Sequence, residues 1–361
     1  MASVCNGVGK ATKMTDIKIS IKGLYKFFGD NPNDALQYVQ NGMSKEKLLD
    51  EHDHVIGLNN INIDVPAKQL HVIMGLSGSG KSTLIRHINR LIEPTSGKVI
   101  IDGDNVMEMS QLELRKFRRY KASMVFQKFG LLPHRTIVQN VSYGLTVQGI
   151  SEGEAKERSQ IWIDKVGLTG FEKHFPAQLS GGMQQRVGLA RALATDAEIL
   201  LMDEAFSALD PLIRTNMQDI LLGLQEELHK TIIFITHDLD EALRLGDEIS
   251  FLRDGEVIQK GNPQDIILRP ADAYIADFIK DINRSRVLKV SSIMKKETRT
   301  LGPKVSSNTA IEEALQVMVS SDKGVVSVID KKGETIGKVS LENAITAIAR
   351  PDRNKKNGSY K

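Results

Sequence analysis

Residues 75–82 read Gly-Leu-Ser-Gly-Ser-Gly-Lys-Ser, between the apolar strand His71–Met74 and a segment with helical periodicity that reaches about Ile92. Glycines let successive backbone N–H groups turn inward, where they and the helix N-terminus bind phosphate oxygens. The pattern predicts that Lys81 contacts the β- and γ-phosphates and that the Ser82 hydroxyl is a ligand of Mg²⁺. The predicted phosphate-binding residues are Gly75, Leu76, Ser77, Gly78, Ser79, Gly80, Lys81, Ser82 and Thr83.

An acidic pair ends a later apolar strand. Ile199–Met202 has the length and composition of a buried parallel strand, and Asp203-Glu204 follows it directly. The strand places Asp203 at its carboxyl end, where a carboxylate can hold Mg²⁺, and Glu204 next to it can polarise an attacking water. With the glycine loop upstream, we interpret the pair as the second half of a nucleoside triphosphate site rather than as a solvated turn.

Between these two motifs, residues 179–185 read Leu-Ser-Gly-Gly-Met-Gln-Gln and lead into a helix. Ser180 and the amides of Gly181 and Gly182 present hydrogen-bond donors and a helix N-terminus to a γ-phosphate. Gln184 belongs to the same string, and Arg186 and Arg191 follow it.

Three further features complete the predicted site. Gln127 follows the strand Ser123–Phe126, where it can touch both Mg²⁺ and the attacking water. His237 follows the strand Ile232–Thr236 and is expected to hydrogen-bond the γ-phosphate and the water. Ser207-Ala208-Leu209-Asp210 comes shortly after Glu204 and predicts a subunit contact at Asp210.

The composition of the 361 residues is that of an ordinary globular protein, with 41% hydrophobic and 26% charged residues. A net charge of +3 is too small to indicate a nucleic-acid or acidic-lipid partner. The single cysteine, Cys5, excludes an internal disulfide framework and fits a reducing compartment. No run approaches the ~18 apolar residues that span a bilayer, and residues 1–13 lack the apolar core of a signal peptide. Met14 is an alternative start to Met1.

Along the chain, the pattern predicts an α/β core with a largely parallel sheet. Residues 1–16 form an N-terminal extension, Ile17–Leu24 an edge strand, and Asn33–Asp53 a helical insert at about 30–54. The basic cluster Arg115–Lys121 is interpreted as the solvated face of a short helix. Residues 17–286 make the main domain, 287–350 a small α+β unit, and 351–361 a disordered tail.

These motifs resemble those of the ATPase subunits of ATP-binding-cassette importers, and the resemblance covers about residues 17–286. Residues 203–214, which begin Asp-Glu-Ala-Phe-Ser where most importers have Asp-Glu-Pro, are similar to the glycine betaine/proline (quaternary amine) uptake branch. So are residues 89–95 (Asn-Arg-Leu-Ile-Glu-Pro-Thr), 183–193 and 24–49.

The resemblance implies an ATP-binding-cassette P-loop NTPase domain with a helical subdomain, which uses ATP and Mg²⁺. It implies a homodimer in which Ser180, Gly181, Gly182 and Gln184 of one subunit act on the ATP of the other. It further implies transmembrane permease subunits, an external substrate-binding protein, no nucleic acid, and a peripheral location at the cytoplasmic face of the inner membrane.

Two local features follow from the same resemblance. Phe28, beside Tyr25 and Phe27, is expected to stack on adenine. The loop after Gln127, with Phe129, Leu132, Pro133 and His134, is expected to receive a coupling helix from the membrane subunit.

The C-terminal unit departs from the family pattern. Family members often end in a pair of cystathionine-β-synthase repeats, and Val290–Ala349 resembles one repeat only. Because the ligand cleft of a pair lies between its two halves, the second half must come from another subunit, or ligand binding has been lost.

The main hypothesis is an ATPase that energises uptake of glycine betaine, proline, choline, carnitine or trimethylamine N-oxide. One alternative is an importer ATPase for another small solute. A second is an ATP-binding-cassette ATPase acting on DNA or ribosomes, although no long coiled coil separates Lys81 from Asp203 and the chain holds one cassette. A third is a regulator whose ATP site only locks a complex, which the intact Glu204 and His237 argue against.

Overall fold

The computed structural model describes residues 16–127, 129–207, 209–321 and 323–349. The chain divides into two compact units. The first comprises the described residues up to His71, Gly78–Ile235 and Asp254–Glu256, and the second comprises Val72–Ser77, Thr236–Arg253 and the described residues from Val257. The segmentation 17–286 and 287–350 stays a prediction.

Several expectations lie outside the described residues. They concern the extension before Asp16, with Met1, Cys5 and Met14, the tail at 351–361, and Ala208.

The first unit alternates strands and helices. In chain order its elements are β1 (Ile17–Phe28), α1 (Pro32–Gln40), α2 (Lys45–His52), β2 (Val55–Pro66), the start of β3 (Leu70–Met74), α3 (Lys81–Ile88), β4 (Ser96–Ile101), β5 (Asp104–Asn105), a 3-10 turn (Val106–Glu108), α4 (Gln111–Tyr120), β6 (Ala122–Val125), α5 (Ile137–Gln148), α6 (Glu152–Lys165), a second 3-10 turn (Pro176–Gln178), α7 (Gly181–Ala194), β7 (Ile199–Asp203), α8 (Pro211–Leu228) and β8 (Thr231–Thr236).

An antiparallel sheet in the order β2-β1-β4-β5 forms one layer of this unit. The prediction of an edge strand was wrong, because Ile21 on β1 pairs with Ile63 on one side and with Val99 on the other. The strand also continues to Phe28, four residues beyond the predicted end, since the pairing with β2 reaches Val55.

The insert contains two helices rather than one. Helix α1 ends before Gly42, whose φ of +90° is a left-handed conformation that interrupts the helix, and Ser44 then caps α2. Ala35 and Leu48 are fully buried with Phe27 of β1, so the insert packs onto the antiparallel sheet.

Parallel strands β6, β7 and β8 lie side by side, which confirms the predicted α/β core. Their carboxyl ends carry the polar residues that the sequence singles out, with Asp203 paired to Ile235. Helix α3 ends at Ile88 rather than near Ile92, because Arg90 adopts a left-handed φ of +51°.

The basic cluster lies on α4, as predicted, up to Tyr120, and Lys121 is the C-cap; most of its side chains are exposed. The Arg118 guanidinium donates to the carbonyls of Asn89 and Arg90, at 2.9 and 2.6 Å.

In the second unit, strands follow the order β10-β9-β3, and a separate sheet has the order β11-β14-β13-β12. The segment predicted as a small α+β unit contains a helix at Ile311–Val319 and a strand at Thr335–Ser340. Its elements after β3 are α9 (Leu239–Leu245), β9 (Glu248–Arg253), β10 (Glu256–Gly261), α10 (Pro263–Leu268), α11 (Ala273–Phe278), α12 (Arg284–Val287), α13 (Val290–Ile293), β11 (Lys295–Lys296), β12 (Lys304–Ser306), α14 (Ile311–Val319), β13 (Val325–Ile329), β14 (Thr335–Ser340) and α15 (Leu341–Ile348).

Across the described residues, none of the helices combines the length and the apolar character that a membrane crossing requires.

Candidate functional site

The glycine loop connects β3 to α3, with Gly75, Leu76 and Ser77 in the second unit and Gly78–Thr83 in the first. Gly78 and Gly80 have φ values of +81° and +98°, which L-residues rarely adopt. A Cβ on Gly80 would lie 2.5 Å from the Gly57 carbonyl oxygen, so only glycine fits there. The loop is therefore built as the sequence predicts, with glycines where the backbone must turn closely.

Two polar groups of this loop are buried. The Ser79 side chain is 5% exposed, and within the described part of the chain its hydroxyl oxygen has no hydrogen-bond partner. Lys81 is 4% exposed, and burial lowers the pKa of its ammonium, an effect that the Glu204 and Asp203 carboxylates oppose. A buried hydroxyl without a partner next to a buried cation is suited to an anionic ligand.

Asp203 is the most enclosed member of the site, with no solvent exposure. Its carboxylate accepts a hydrogen bond from the Ser82 hydroxyl at 2.7 Å and pairs with the Arg86 guanidinium at 3.4 Å. Burial raises the pKa of Asp203, against the lowering effects of Ser82 and Arg86. The structure thus brings together Ser82 and Asp203, two of the three predicted metal ligands, although they are far apart in sequence.

Glu204 has a left-handed backbone, with φ of +46°, directly after β7. Such a conformation costs a non-glycine residue of order 1–3 kcal/mol and persists only where its surroundings hold it. Here the Glu204 amide donates to the Ile235 carbonyl at 3.2 Å, and its own carbonyl accepts from the Ser207 hydroxyl at 2.9 Å and from the Gln185 amide at 3.4 Å. The backbone of the predicted base is therefore fixed by contacts from several elements.

Gln127 and Glu204 are also brought together. The Gln127 side-chain amide donates to a Glu204 carboxylate oxygen at 3.0 Å, and Gln127 is exposed. This contact places a carboxylate beside an amide, one residue after the buried Asp203. The arrangement can orient a water molecule and remove its proton.

His237 follows β8 and belongs to the second unit, where its side chain is exposed. The backbone around it is fixed, because the Thr236 hydroxyl donates to the buried Glu241 carboxylate at 2.7 Å and accepts from the Asp238 amide at 2.9 Å.

The Ser-Gly-Gly string begins helix α7. Ser180 is exposed and caps this helix by accepting a hydrogen bond from the Met183 amide at 3.3 Å. Gly181 is exposed and Gly182 is half-buried, with a built Cβ only 3.1 Å from Leu209. Gln184 instead donates to the carbonyls of Pro176 and Leu179, so its amide fixes the preceding loop of its own chain.

Asp210 is exposed and accepts from the Ile213 amide at 3.1 Å, which makes it the N-cap of α8. The role of Asp210 at a subunit contact stays a prediction. Capping of α8 is by itself a sufficient reason for an aspartate at this position.

The structure distinguishes the three aromatic residues at the end of β1. Phe27 is 1% exposed and lies in the core beneath the insert, with Tyr25 partly buried against it. Phe28 is 42% exposed, and the Lys26 ammonium lies 5.1 Å from its ring centroid. Of the three rings, that of Phe28 is the most exposed.

The loop that follows Gln127 is held by the half-buried side chain of Arg191 and the fully buried side chain of Asn140. Arg191 donates to the Phe129 and Gly130 carbonyls at 3.0 and 2.6 Å, and Asn140 exchanges hydrogen bonds with the Leu132 backbone. A mostly apolar cavity of about 350 Å³ lies beside this loop. Its lining includes Leu91, Phe126, Leu132 and Tyr143, while Pro133 and His134 are exposed.

Two residues of the site, Arg86 and Gln185, were not predicted from the sequence. Arg86 lies four residues after Ser82, a helical spacing that puts both on one face and that could have indicated the contact with Asp203. Gln185 was noted only as the end of a motif, yet it is 2% exposed and reaches the Glu204 carbonyl.

A sequence family described as ABC transporter matches residues 58–207. The glycine betaine transport ATP-binding protein OpuAA of Bacillus subtilis is 48% identical over 331 residues, which cover 91% of this chain and 77% of that protein. The glycine betaine/proline betaine transport system ATP-binding protein ProV of Escherichia coli is 44% identical over 334 residues, 92% of this chain and 83% of its own length.

Among solved structures, the dimeric post-hydrolysis state of the ATP-binding cassette MJ0796, bound to ADP and Pi, is 34% identical. It superposes with a TM-score of 0.59 over 68% of this chain and 98% of that one.

Proposed function

The chain belongs to the ABC transporter family as an ATP-hydrolysing subunit, and on that premise we propose that it energises import of a quaternary amine or a related compatible solute. The observation that supports the solute class best is the 48% identity to a glycine betaine transport ATP-binding protein over 91% of the chain. Glycine betaine is therefore the first candidate, with proline, choline, carnitine and trimethylamine N-oxide as the others.

In the proposed site, Lys81, the Ser79 hydroxyl and the backbone amides around Gly78 and Gly80 bind the phosphates. Ser82 and Asp203, with Gln127, would hold Mg²⁺, which when bound neutralises charge that develops on the phosphates. The donor set fits this ion, since Mg²⁺ is usually held by one or two carboxylates together with substrate phosphates.

Glu204 is the proposed general base. Its carboxylate removes a proton from the attacking water, and Gln127, bonded to that carboxylate, orients both. We assign His237 to hydrogen bonding with the γ-phosphate, on the basis of its position at the end of β8. Phe28 supplies the exposed ring for adenine.

We further propose that two copies of the chain close two nucleotides between them. Ser180, Gly181 and Gly182 lie exposed or half-exposed at the start of α7, where helix N-terminal amides are available to the phosphates of the facing subunit. Gln184 and Asp210 contribute to that surface indirectly, by fixing the loop before α7 and the start of α8.

We propose that the cavity beside Leu132 is the binding site of the membrane partner. An apolar groove of about 350 Å³ with a loop fixed by Arg191 and Asn140 is suited to a short helix of a transmembrane permease subunit. An external binding protein would deliver the solute to that permease, and the chain would then lie peripherally at the inner face of the membrane.

For the C-terminal segment we propose a single repeat of the cystathionine-β-synthase type. Its order of short strands and helices from α13 to α15 supports this proposal. Val319 on α14 and Ile345 on α15 are 75% and 52% exposed, so this segment has apolar surface available for a second copy.

Arg86 gives a prediction about the metal. Its guanidinium competes with Mg²⁺ for the Asp203 carboxylate, so Arg86→Gln should lower the Mg²⁺ concentration that half-saturates nucleotide binding by about threefold. Titration calorimetry of ATP at graded Mg²⁺ would measure this, with Arg86→Lys as the charge-retaining control. A half-saturating concentration that rises in Arg86→Gln would show that Arg86 assists the metal instead.

The proposed function is tested by reconstituting the chain with its permease and binding protein and measuring MgATP turnover against a panel of methylated amines. Stimulation by one amine over unloaded binding protein is expected, and that amine is then the substrate. If the complex assembles and no amine changes its rate of ATP turnover, the proposed solute class is contradicted, while the assignment as an ATPase is not.

A further inference from the structure

The insert of helices α1 and α2 is a firmly packed part of the first unit. Ala35 of α1 and Leu48 of α2 are completely buried against Phe27 of β1, and Tyr25 and Ile56 pack around them. Because both helices are fixed on the sheet, the polar end of α2 is held at a defined place.

Lys45, the first residue of α2, extends from this insert to a tight turn. Its ammonium lies 2.6 Å from a carboxylate oxygen of Asp254, with the two side chains 44% and 64% exposed. Asp254 and Gly255 link β9 to β10, and both have positive φ, +50° and +80°, as a two-residue hairpin turn requires.

The same turn contacts the phosphate-binding loop. The Gly255 amide donates to the Ser79 carbonyl at 3.2 Å, and the Gly255 carbonyl accepts from the Asn59 amide at 2.8 Å. The Gly255 Cα would be 3.7 Å from a Cβ on Gly80. A continuous path of contacts therefore runs from Lys45 through Asp254 and Gly255 to Ser79.

We propose that Lys45 and Asp254 are positioning residues for nucleotide binding: their ion pair fixes the 254–255 turn, and that turn braces the phosphate-binding loop at Ser79. Neither side chain needs to touch the nucleotide. Their contribution is preorganisation, because a loop already held in its binding conformation loses less freedom when ATP binds. The inference rests on the proposed role of this loop in binding ATP.

The test uses the full chain and a charge reversal in two backgrounds. Lys45→Glu turns attraction into repulsion and should raise the Kd for ATP about threefold, the size of effect that an exposed pair supplies. In the Asp254→Asn background, the same reversal should change the Kd little, because the carboxylate is gone and asparagine tolerates the positive φ.

Two further readouts separate positioning from general damage. In the reconstituted complex, Lys45→Glu should raise the KM for ATP by the same factor as the Kd and leave kcat unchanged. The difference in Kd between Lys45→Glu and the wild type should become smaller at high salt, because salt screens an exposed ion pair. Arg158→Glu is the matched control, since the Arg158–Glu154 pair on α6 has a comparable distance of 2.6 Å and exposure.

Equal Kd values for wild type and Lys45→Glu would overturn the proposal, as would an equal effect of the reversal in both backgrounds. Failure of the wild type itself to bind ATP would instead refute the proposed function.

Discussion

Replacing Glu204 by glutamine is expected to reduce steady-state MgATP hydrolysis by at least about 10²-fold while ATP still binds. Glutamine keeps the length of the side chain and a hydrogen-bond partner for Gln127, but it cannot accept a proton from water. The contacts from Ile235 and Ser207 that hold this backbone involve only main-chain atoms of residue 204, so they survive the substitution.

Phosphate release and size-exclusion chromatography would measure the two parts of this expectation. With ATP and Mg²⁺, the variant should elute as a dimer that the wild type forms only transiently. Glu226→Gln, at an exposed position of α8, serves as the control and should hydrolyse ATP like the wild type. Rapid steady hydrolysis by Glu204→Gln would remove Glu204 from its role as base.

Replacing Lys81 by methionine is expected to weaken ATP binding by at least about 30-fold, the loss that follows truncation of one partner in a buried charge pair. Lys81 is 4% exposed, so the charge acts at short range in surroundings with little screening. Calorimetry with ATP would measure the affinity, and thermal unfolding of the chain without nucleotide would verify the fold.

Lys116→Met is the control, because Lys116 is an exposed lysine on α4 far from this loop in sequence. Unchanged ATP affinity in a folded Lys81→Met variant would contradict the assignment of the loop.

The site residues were predictable where they end parallel strands. Polar side chains that follow apolar runs meet at one edge of such a sheet, and the structure accordingly brings Gln127, after β6, to Glu204, after β7. Ser82 reaches Asp203 from the start of α3, just after the glycine loop. The glycine loop could be predicted from the sequence because few residue types adopt the positive φ values of Gly78 and Gly80.

Other features of the fold depend on contacts between segments that are distant in sequence, so the local sequence pattern could not predict them. Strand β1 reads as an edge strand by alternation, and only its pairing with β4 makes it internal. The break at Gly42 was missed because apolar positions on either side of it continue a helical period. The path from Lys45 to Ser79 joins three segments that are distant in sequence, and no sequence motif predicts that they lie close together.

The most direct test of the whole account is ATP-driven accumulation of labelled glycine betaine in vesicles that contain the chain, its permease and its binding protein. We expect uptake against a gradient with the wild type and none with Glu204→Gln, although both bind ATP. A complex that hydrolyses MgATP, binds the loaded binding protein and accumulates neither glycine betaine nor another methylated amine would contradict the proposed role in import.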